Sequence, residues 1–272
     1  VNDVPDGLYI LPYYRRVNGC WINKTVISQL SGGVMESSQS RYSKKLAALG
    51  WLEHAFLPAG TPPPEACAFA HQRHSAVAVE AEQAFPPKSV DADAIISRGE
   101  RAVAVYTADC LPVLIADNRH HQVAAVHAGL QGALAGVLFS AVEDLLSQGS
   151  RPEDLWVAIG PAISPCCYEL GEDRLAVIQA NPRLQQPVRW HRDRPLNPLA
   201  VRPQAAPQQQ GIWFDLPHLG KQMLEQQGIP AAQIDLLDVC TYCMAEPRSS
   251  YRYNSHHGTG YTSRYAWIRR KS

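Results

Sequence analysis

No uninterrupted apolar run in this sequence approaches the roughly 20 residues a membrane-spanning helix needs, so a membrane protein is not expected. Neither sign of charge is in excess: 25 Lys and Arg stand against 25 Asp and Glu. Without a basic stripe or a polybasic segment, neither nucleic acid nor a membrane surface is an expected partner. The first 25 residues are interrupted by Arg15, Arg16, Asn18 and Asn23 and lack the continuous apolar core of a signal peptide. The seven cysteines are odd in number and irregularly spaced, which is not the pattern of a disulfide framework. A reducing, cytoplasmic setting is the expectation. Internal repeats and a convincing domain linker are also missing. What remains is ordinary globular composition: 46% apolar and 18% charged over 272 residues, enough to bury a sizeable core.

Residues 1–50 form an N-terminal segment of uncertain structure, assigned to the same domain as the rest. Within it, 28–33 reads as a turn and 40–49 as a short helix, because Ser43-Lys-Lys-Leu-Ala-Ala-Leu49 contains good helix formers. From 51 to 272 the pattern is clearer. Residues 66–70, 76–79, 92–97, 102–106, 111–116, 123–126, 155–159, 234–239 and 265–268 are short apolar runs of strand length. Leu134, Val137, Leu138, Ala141, Leu145 and Leu146 follow helical spacing, predicting one helix from near Gln131 to near Gly149. Asp215 followed by Pro217 predicts a second helix start, with Gly228 as its stop. Residues 196–211 are rich in Pro, Gln and Ala and read as an exposed loop. Strands and helices mixed in this way make a single α/β domain the economical fold.

Several segments carry candidate chemistry. Thr107-Ala-Asp-Cys-Leu-Pro112 lies between two expected strands and puts Cys110 at a strand end. Val126-His-Ala-Gly-Leu-Gln-Gly132 puts His127 at another strand end, before a glycine turn into a helix, where polar groups and anions gather. His74 lies upstream in an apolar stretch. Two imidazoles and a thiolate suit Zn²⁺, with a fourth position left for water or substrate; copper would also be held tightly. Spacing alone leaves this open, since a strand histidine is commonly structural and a buried cysteine commonly a small hydrophobe. Cys240-Thr-Tyr-Cys243 with His256 and His257 is a second candidate, as structural zinc, against the plainer reading of two core or surface thiols. Cys166-Cys167 closes Gly160-Pro-Ala-Ile-Ser-Pro165, a rigid loop after a strand that supports structure or lines a pocket. Arg252 is placed either to clamp an anion or to sit on the surface.

Taken in order, Gln72-Arg-His74-Ser75, Val90-Asp-Ala-Asp-Ala-Ile95, Thr107-Ala-Asp-Cys-Leu-Pro-Val-Leu114, His127-Ala-Gly129, Gly160-Pro-Ala-Ile-Ser-Pro-Cys-Cys-Tyr-Glu-Leu-Gly171, Cys240-Thr241 and Ser250-Tyr-Arg252 resemble the YfiH-type laccase-domain proteins, also called multicopper polyphenol oxidase-like. The resemblance runs over about residues 51–270. It implies a layered α/β/β/α sandwich and metal ligation by His74, Cys110 and His127, with Zn²⁺ as the expected ion and copper as the alternative. It also implies a purine nucleoside enzyme: phosphorolysis of adenosine, inosine, guanosine or methylthioadenosine, and deamination of adenosine. In deamination the metal would activate water for attack at C6 of the purine. Asp109, the carboxylate nearest in sequence to a ligand, would shuttle the proton.

The sequence departs from the family pattern at several places. Trp-Arg after His-Ala-Gly is replaced by Leu130-Gln131, and Thr-Gly-Arg by Thr259-Gly-Tyr261, with Arg264 three residues late. The early Thr-Thr-Arg-Gly-Gly-Val-Ser stretch is echoed only faintly, at 29–34 or 51–60, without its arginine. Phosphate binding would then fall to Arg252 and Arg264, helped by a helix N-terminus. Nucleoside and phosphate are the expected partners; the oligomeric state is left open. The rivals are a copper-dependent phenol oxidase, a peptidoglycan-precursor hydrolase and a non-catalytic nucleoside-binding protein. Multicopper laccase chemistry uses several His-x-His pairs, and none of the ten histidines here forms one.

Overall fold

The computed structural model describes residues 14–17, 20–23, 41–81 and 86–272. By their contacts, residues 1–36 form one unit and 37–272 another. The first contains an antiparallel hairpin of β1 (Tyr14–Val17) and β2 (Cys20–Asn23). Residues 41–50 group with the large unit. The expected turn at 28–33 and the family echo at 29–34 lie outside the described residues.

The centre of the large unit is a six-stranded mixed sheet. It runs, edge to edge, β13 (Ile234–Leu236), β9 (Leu155–Ile159), β7 (Leu111–Asp117), β8 (Gln122–Ala128), β5 (Ala94–Ser97) and β4 (Ala78–Glu80). Its strands read as near-continuous apolar runs because both faces are covered. Alternate residues serve different cores. Leu111, Val113 and Ile115 face one side with Val126, Val157 and Ile159. There they meet α3 (Val137–Leu146) and α5 (Leu216–Gln226), whose Leu138, Leu145, Leu219 and Met223 fill the layer. Leu114, Val123, Ala125 and Ile95 face the other side, toward the antiparallel sheet of β3 (Leu52–Phe56), β14 (Arg264–Arg270) and β6 (Val103–Thr107). Leu46 of α1 (Lys44–Ala47) belongs to this second core. A small sheet of β10 (Glu169–Leu170), β12 (Ile212–Phe214) and β11 (Trp190–His191) completes the unit, with α4 (Glu172–Gln179) and α6 (Tyr251–His257) at its periphery. The class is mixed α/β, as expected.

The departures from expectation have local causes. The single helix expected from 131 to 149 is two, α2 (Leu130–Ala135) and α3, because Gly136 sits at φ 105°, where only glycine is at ease. Residues 66–70 form only a one-residue bridge, Ala68 to Val103, after Ala66 adopts φ 61°. β13 stops at Leu236, ahead of Asp238 at φ 50°. Asp215 caps α5 as expected, its carboxylate accepting from His218 N at 3.0 Å.

His54 on β3 is buried, and its Nε2 accepts from Ser43 N at 2.9 Å. Burial pulls its pKa down to about 4, against a smaller upward pull from Asp235. The folded state thus holds this imidazole neutral where the unfolded chain would protonate it. The stabilisation is complete above the ordinary histidine pKa and is lost as pH falls toward 4. Unfolding midpoints should drop over that window by an amount on the order of 2–3 kcal/mol in stability. His54→Gln, which keeps an acceptor but does not titrate there, should flatten the slope in denaturant titrations between pH 7 and pH 4.

Candidate metal centre

His74, Cys110 and His127 meet at one end of the six-stranded sheet. Cys110 immediately precedes β7, and His127 is the penultimate residue of β8; the antiparallel register sets Pro112 opposite His127. His74 is carried by the loop leading to β4. One donor atom from each of the three residues lies within 4.8 Å of the others, with Cys110 Sγ 3.6 Å from His74 Nε2. The two imidazoles stand edge to face, at 74°.

The residue that assembles them is Asp93, one position before β5 and fully buried. Its carboxylate accepts from His127 Nδ1 at 2.8 Å, His74 N at 3.0 Å, Arg73 N at 3.0 Å, Ser75 N at 2.7 Å and Ser75 Oγ at 2.7 Å. Burial opposes its ionisation, but the donors from His127, Ser75 and Arg73 outweigh burial and hold the carboxyl well below the usual range. The bond to Nδ1 fixes the His127 tautomer and leaves Nε2 free as a lone-pair donor, the arrangement common to metal-ligating histidines. The backbone bonds hold His74 at φ 58°, an unfavourable conformation for a non-glycine residue.

Gly129 is required by space. Its φ of −64° suits any residue, yet a Cβ there would fall 2.6 Å from Cys110 Sγ and 2.7 Å from His74 Cδ2. Electrostatics also suit a cation. Burial lowers the His74 pKa, with the neighbouring His127 adding to the effect, so the His74 ring is disposed to be a neutral donor. Burial, with the charges of Asp109 and Asp93, pushes the Cys110 thiol up to about 12. The same negative field that resists a bare thiolate favours one next to a bound ion. Two nitrogens and one sulfur with an open side fit a divalent metal that keeps a position for substrate or water.

Beside Cys110 lies a cavity of about 160 Å³ walled by Asp109, Leu130, Ile163, Tyr168, Tyr251 and Arg252, among others. Asp109, at φ 90°, accepts from Thr241 Oγ1 at 2.5 Å, Ser250 Oγ at 3.0 Å and Arg252 N at 2.7 Å. Burial raises its pKa despite these donors. The Arg252 guanidinium donates to Glu169 O at 2.9 Å and stacks 5.2 Å from the Tyr168 ring centre. Burial pushes the Tyr168 phenol up to about 12.

Arg264 is not among the residues lining this cavity. It is buried on β14, with Nη1 donating to both carboxylate oxygens of Glu246 at 3.1 Å. His256 and His257 do not join Cys240 and Cys243 either, as their rings lie 3.1 and 3.2 Å from the Tyr242 hydroxyl. The two cysteines instead meet Cys166 and Cys167. Sequence reasoning quoted the Asp93 segment without giving that residue a role. Its signal was a carboxylate inside an otherwise apolar strand run, which must be paired to be buried.

Fold and site together define a mixed α/β unit of three sheets with a His/Cys/His cluster at a strand end. The chain belongs to the multi-copper polyphenol oxidoreductase laccase family, whose sequence profile matches residues 53–269. It is similar to a purine nucleoside phosphorylase of Synechocystis sp., 36% identical over 171 residues, covering 59% of this chain and 62% of that protein. The purine nucleoside phosphorylase YfiH of Shigella flexneri is 34% identical over 185 residues, covering 67% and 66%. The match thus spans less than two thirds of the Synechocystis relative's length. Among solved structures, a hypothetical protein YfiH of Bacillus licheniformis aligns with a TM-score of 0.60 at 27% identity, over 75% of this chain and 74% of that one. YlmD of Geobacillus stearothermophilus aligns with the same TM-score at 22% identity, over 76% and 74%, a likeness of fold. Among the described residues, no helix is long and apolar enough to cross a membrane.

Proposed function

We propose that the chain is a purine nucleoside enzyme acting in the cavity beside Cys110, with His74, Cys110 and His127 holding one divalent metal, Zn²⁺ in preference to copper. The observation that carries this reading is the convergence of the three donors, Asp93 fixing two of them, with Cys110 also on the wall of a cavity sized for a heterocyclic base. The similar proteins named purine nucleoside phosphorylase support the substrate class.

The metal, when bound, supplies a Lewis acid able to activate water or polarise a leaving base. The chain supplies the rest. Leu130, Ile163 and Tyr168 offer apolar walls to the purine, and Arg252 offers its guanidinium to an anion or to the sugar. Asp109, raised by burial, is the carboxyl positioned to move a proton at the cavity wall. Water attack at C6 of adenosine would yield inosine and ammonia. Attack of phosphate on the sugar would yield free base and ribose 1-phosphate.

Among the described residues Arg252 is the one guanidinium lining the cavity, and it is partly committed to Glu169 O and Tyr168. Leu130 and Gln131 bring no charge. Phosphorolysis is therefore expected to be weaker than deamination. Protein freed of host enzymes should convert adenosine to inosine without phosphate, and added phosphate should release base at a slower rate. Chromatography of the products decides it. No conversion of adenosine, inosine, guanosine or methylthioadenosine would end the reading, and phosphorolysis outrunning deamination would reverse the order. The oxidase alternative is less well served: among the described residues, the two groups able to hold a metal comprise these three donors and a cluster of cysteines, with no multi-histidine copper cluster.

A further inference from the structure

Four of the cysteines have no part in the nucleoside chemistry, yet they are gathered at one point. Cys166 and Cys167 sit in the turn after β9, and Cys240 and Cys243 in the turn that follows the bridge between Ala162 and Cys240. Their exposures are 4%, 0%, 0% and 0%. All four sulfurs lie within 4.8 Å of one another, with Cys166 Sγ and Cys243 Sγ 3.7 Å apart. A Zn–S bond of about 2.3 Å in a tetrahedron sets neighbouring sulfurs about 3.8 Å apart. The spacing fits one ion and is too tight for an iron–sulfur cluster, whose cysteines bind different irons.

The surroundings favour thiolates over four small hydrophobes. Asn197 Nδ2 donates toward Cys243 Sγ at 3.5 Å and Cys166 Sγ at 3.7 Å, and Ala205 N toward Cys167 Sγ at 3.5 Å. N–H groups aimed at sulfur are the outer hydrogen bonds that metal-bound thiolates attract. Four thiolates around a divalent ion leave net negative charge. Arg202 stands beside them, its guanidinium bound to the carbonyls of Thr241, Tyr242 and Ala245 and its backbone N donating to Cys243 O at 3.1 Å.

We propose that Cys166, Cys167, Cys240 and Cys243 bind one Zn²⁺ in a closed tetrathiolate site, separate from the His/Cys/His centre and structural in purpose. Binding displaces the thiol protons and adds no other reactant. The ion ties the loop after β9 and the 240–243 turn to residues 197–205, a stretch with little regular structure to hold it. It also braces the cavity from behind, since Thr241 follows Cys240 and donates to Asp109, and Tyr168 follows Cys167.

The test uses the full chain and the His74→Ala/His127→Ala double variant, which removes the other centre. Native mass spectrometry should count two zinc ions in the unaltered chain and one in the double variant. Zinc-edge X-ray absorption of the variant should show four sulfurs at about 2.3 Å and no nitrogen. Adding Cys243→Ser should remove that ion. Because the count is independent of turnover, it separates this proposal from the nucleoside reading. A folded double variant without zinc, iron in its place, or intact masses showing disulfides among these cysteines would each overturn it.

Discussion

Gly129→Ala should cost the protein the ion proposed at His74, Cys110 and His127 and lower the proposed nucleoside turnover by about a hundredfold or more, while leaving the fold in place. The added methyl would stand 2.6 Å from Cys110 Sγ and 2.7 Å from the His74 ring, so at least one donor must move away. A displacement near 1 Å at a reacting centre is enough for a loss of ~10²-fold. The backbone gives no reason for instability. Gly129 lies at φ −64° and ψ 164°, immediately before α2, a conformation alanine adopts readily. Circular dichroism and thermal unfolding in the presence of chelator, where no ion contributes, should match those of the unaltered protein. Metal analysis and kcat should not. Full zinc content at the unaltered rate would show that the three donors do not share an ion.

Cys110→Ala should have the larger effect. It removes the sulfur ligand and leaves two imidazoles, too few for a stable catalytic zinc site. If the ion supplies about 4 kcal/mol of transition-state stabilisation, its loss lowers turnover about a thousandfold. The cost to folding should be small, because Cys110 is only half-buried and stands outside the apolar clusters. Initial rates with adenosine, together with zinc content after dialysis, measure both parts. Unchanged turnover in Cys110→Ala would remove the metal from the mechanism. Turnover lost with zinc retained would instead make the thiol itself the reacting group.

Much of this site was legible in the residues. The apolar runs at 92–97, 102–106, 111–116, 123–126 and 155–159 became β5 to β9, because short runs covered on both faces have little other use. Cys110 and His127 were legible as strand-end residues, flanked by Pro112 and by Gly129. The family motif order then supplied the membership that spacing could not. What stayed hidden depends on long-range geometry. Asp93 accepts from residues 18 to 34 positions away, which no local pattern announces. Arg264 was expected to help bind phosphate; the structure sets it on buried β14, where Glu246 supplies its counter-charge. Cys240 and Cys243 read either as a zinc pair with His256 and His257 or as two core or surface thiols. The chain instead folds back to bring Cys166 within reach of Cys243 across 77 residues of sequence. Gly136 carried the expected helix signal on both sides, and only its left-handed backbone ends α2.

The pairing of Pro112 with His127 gives the donor cluster a second meaning. Side chains in a strand alternate, so sliding β7 past β8 by a single step would send His127 to the far side and leave Cys110 facing no partner. An incompletely zipped hairpin therefore has no binding site to offer. An ion at these donors would be open only to molecules whose central strands are already in step.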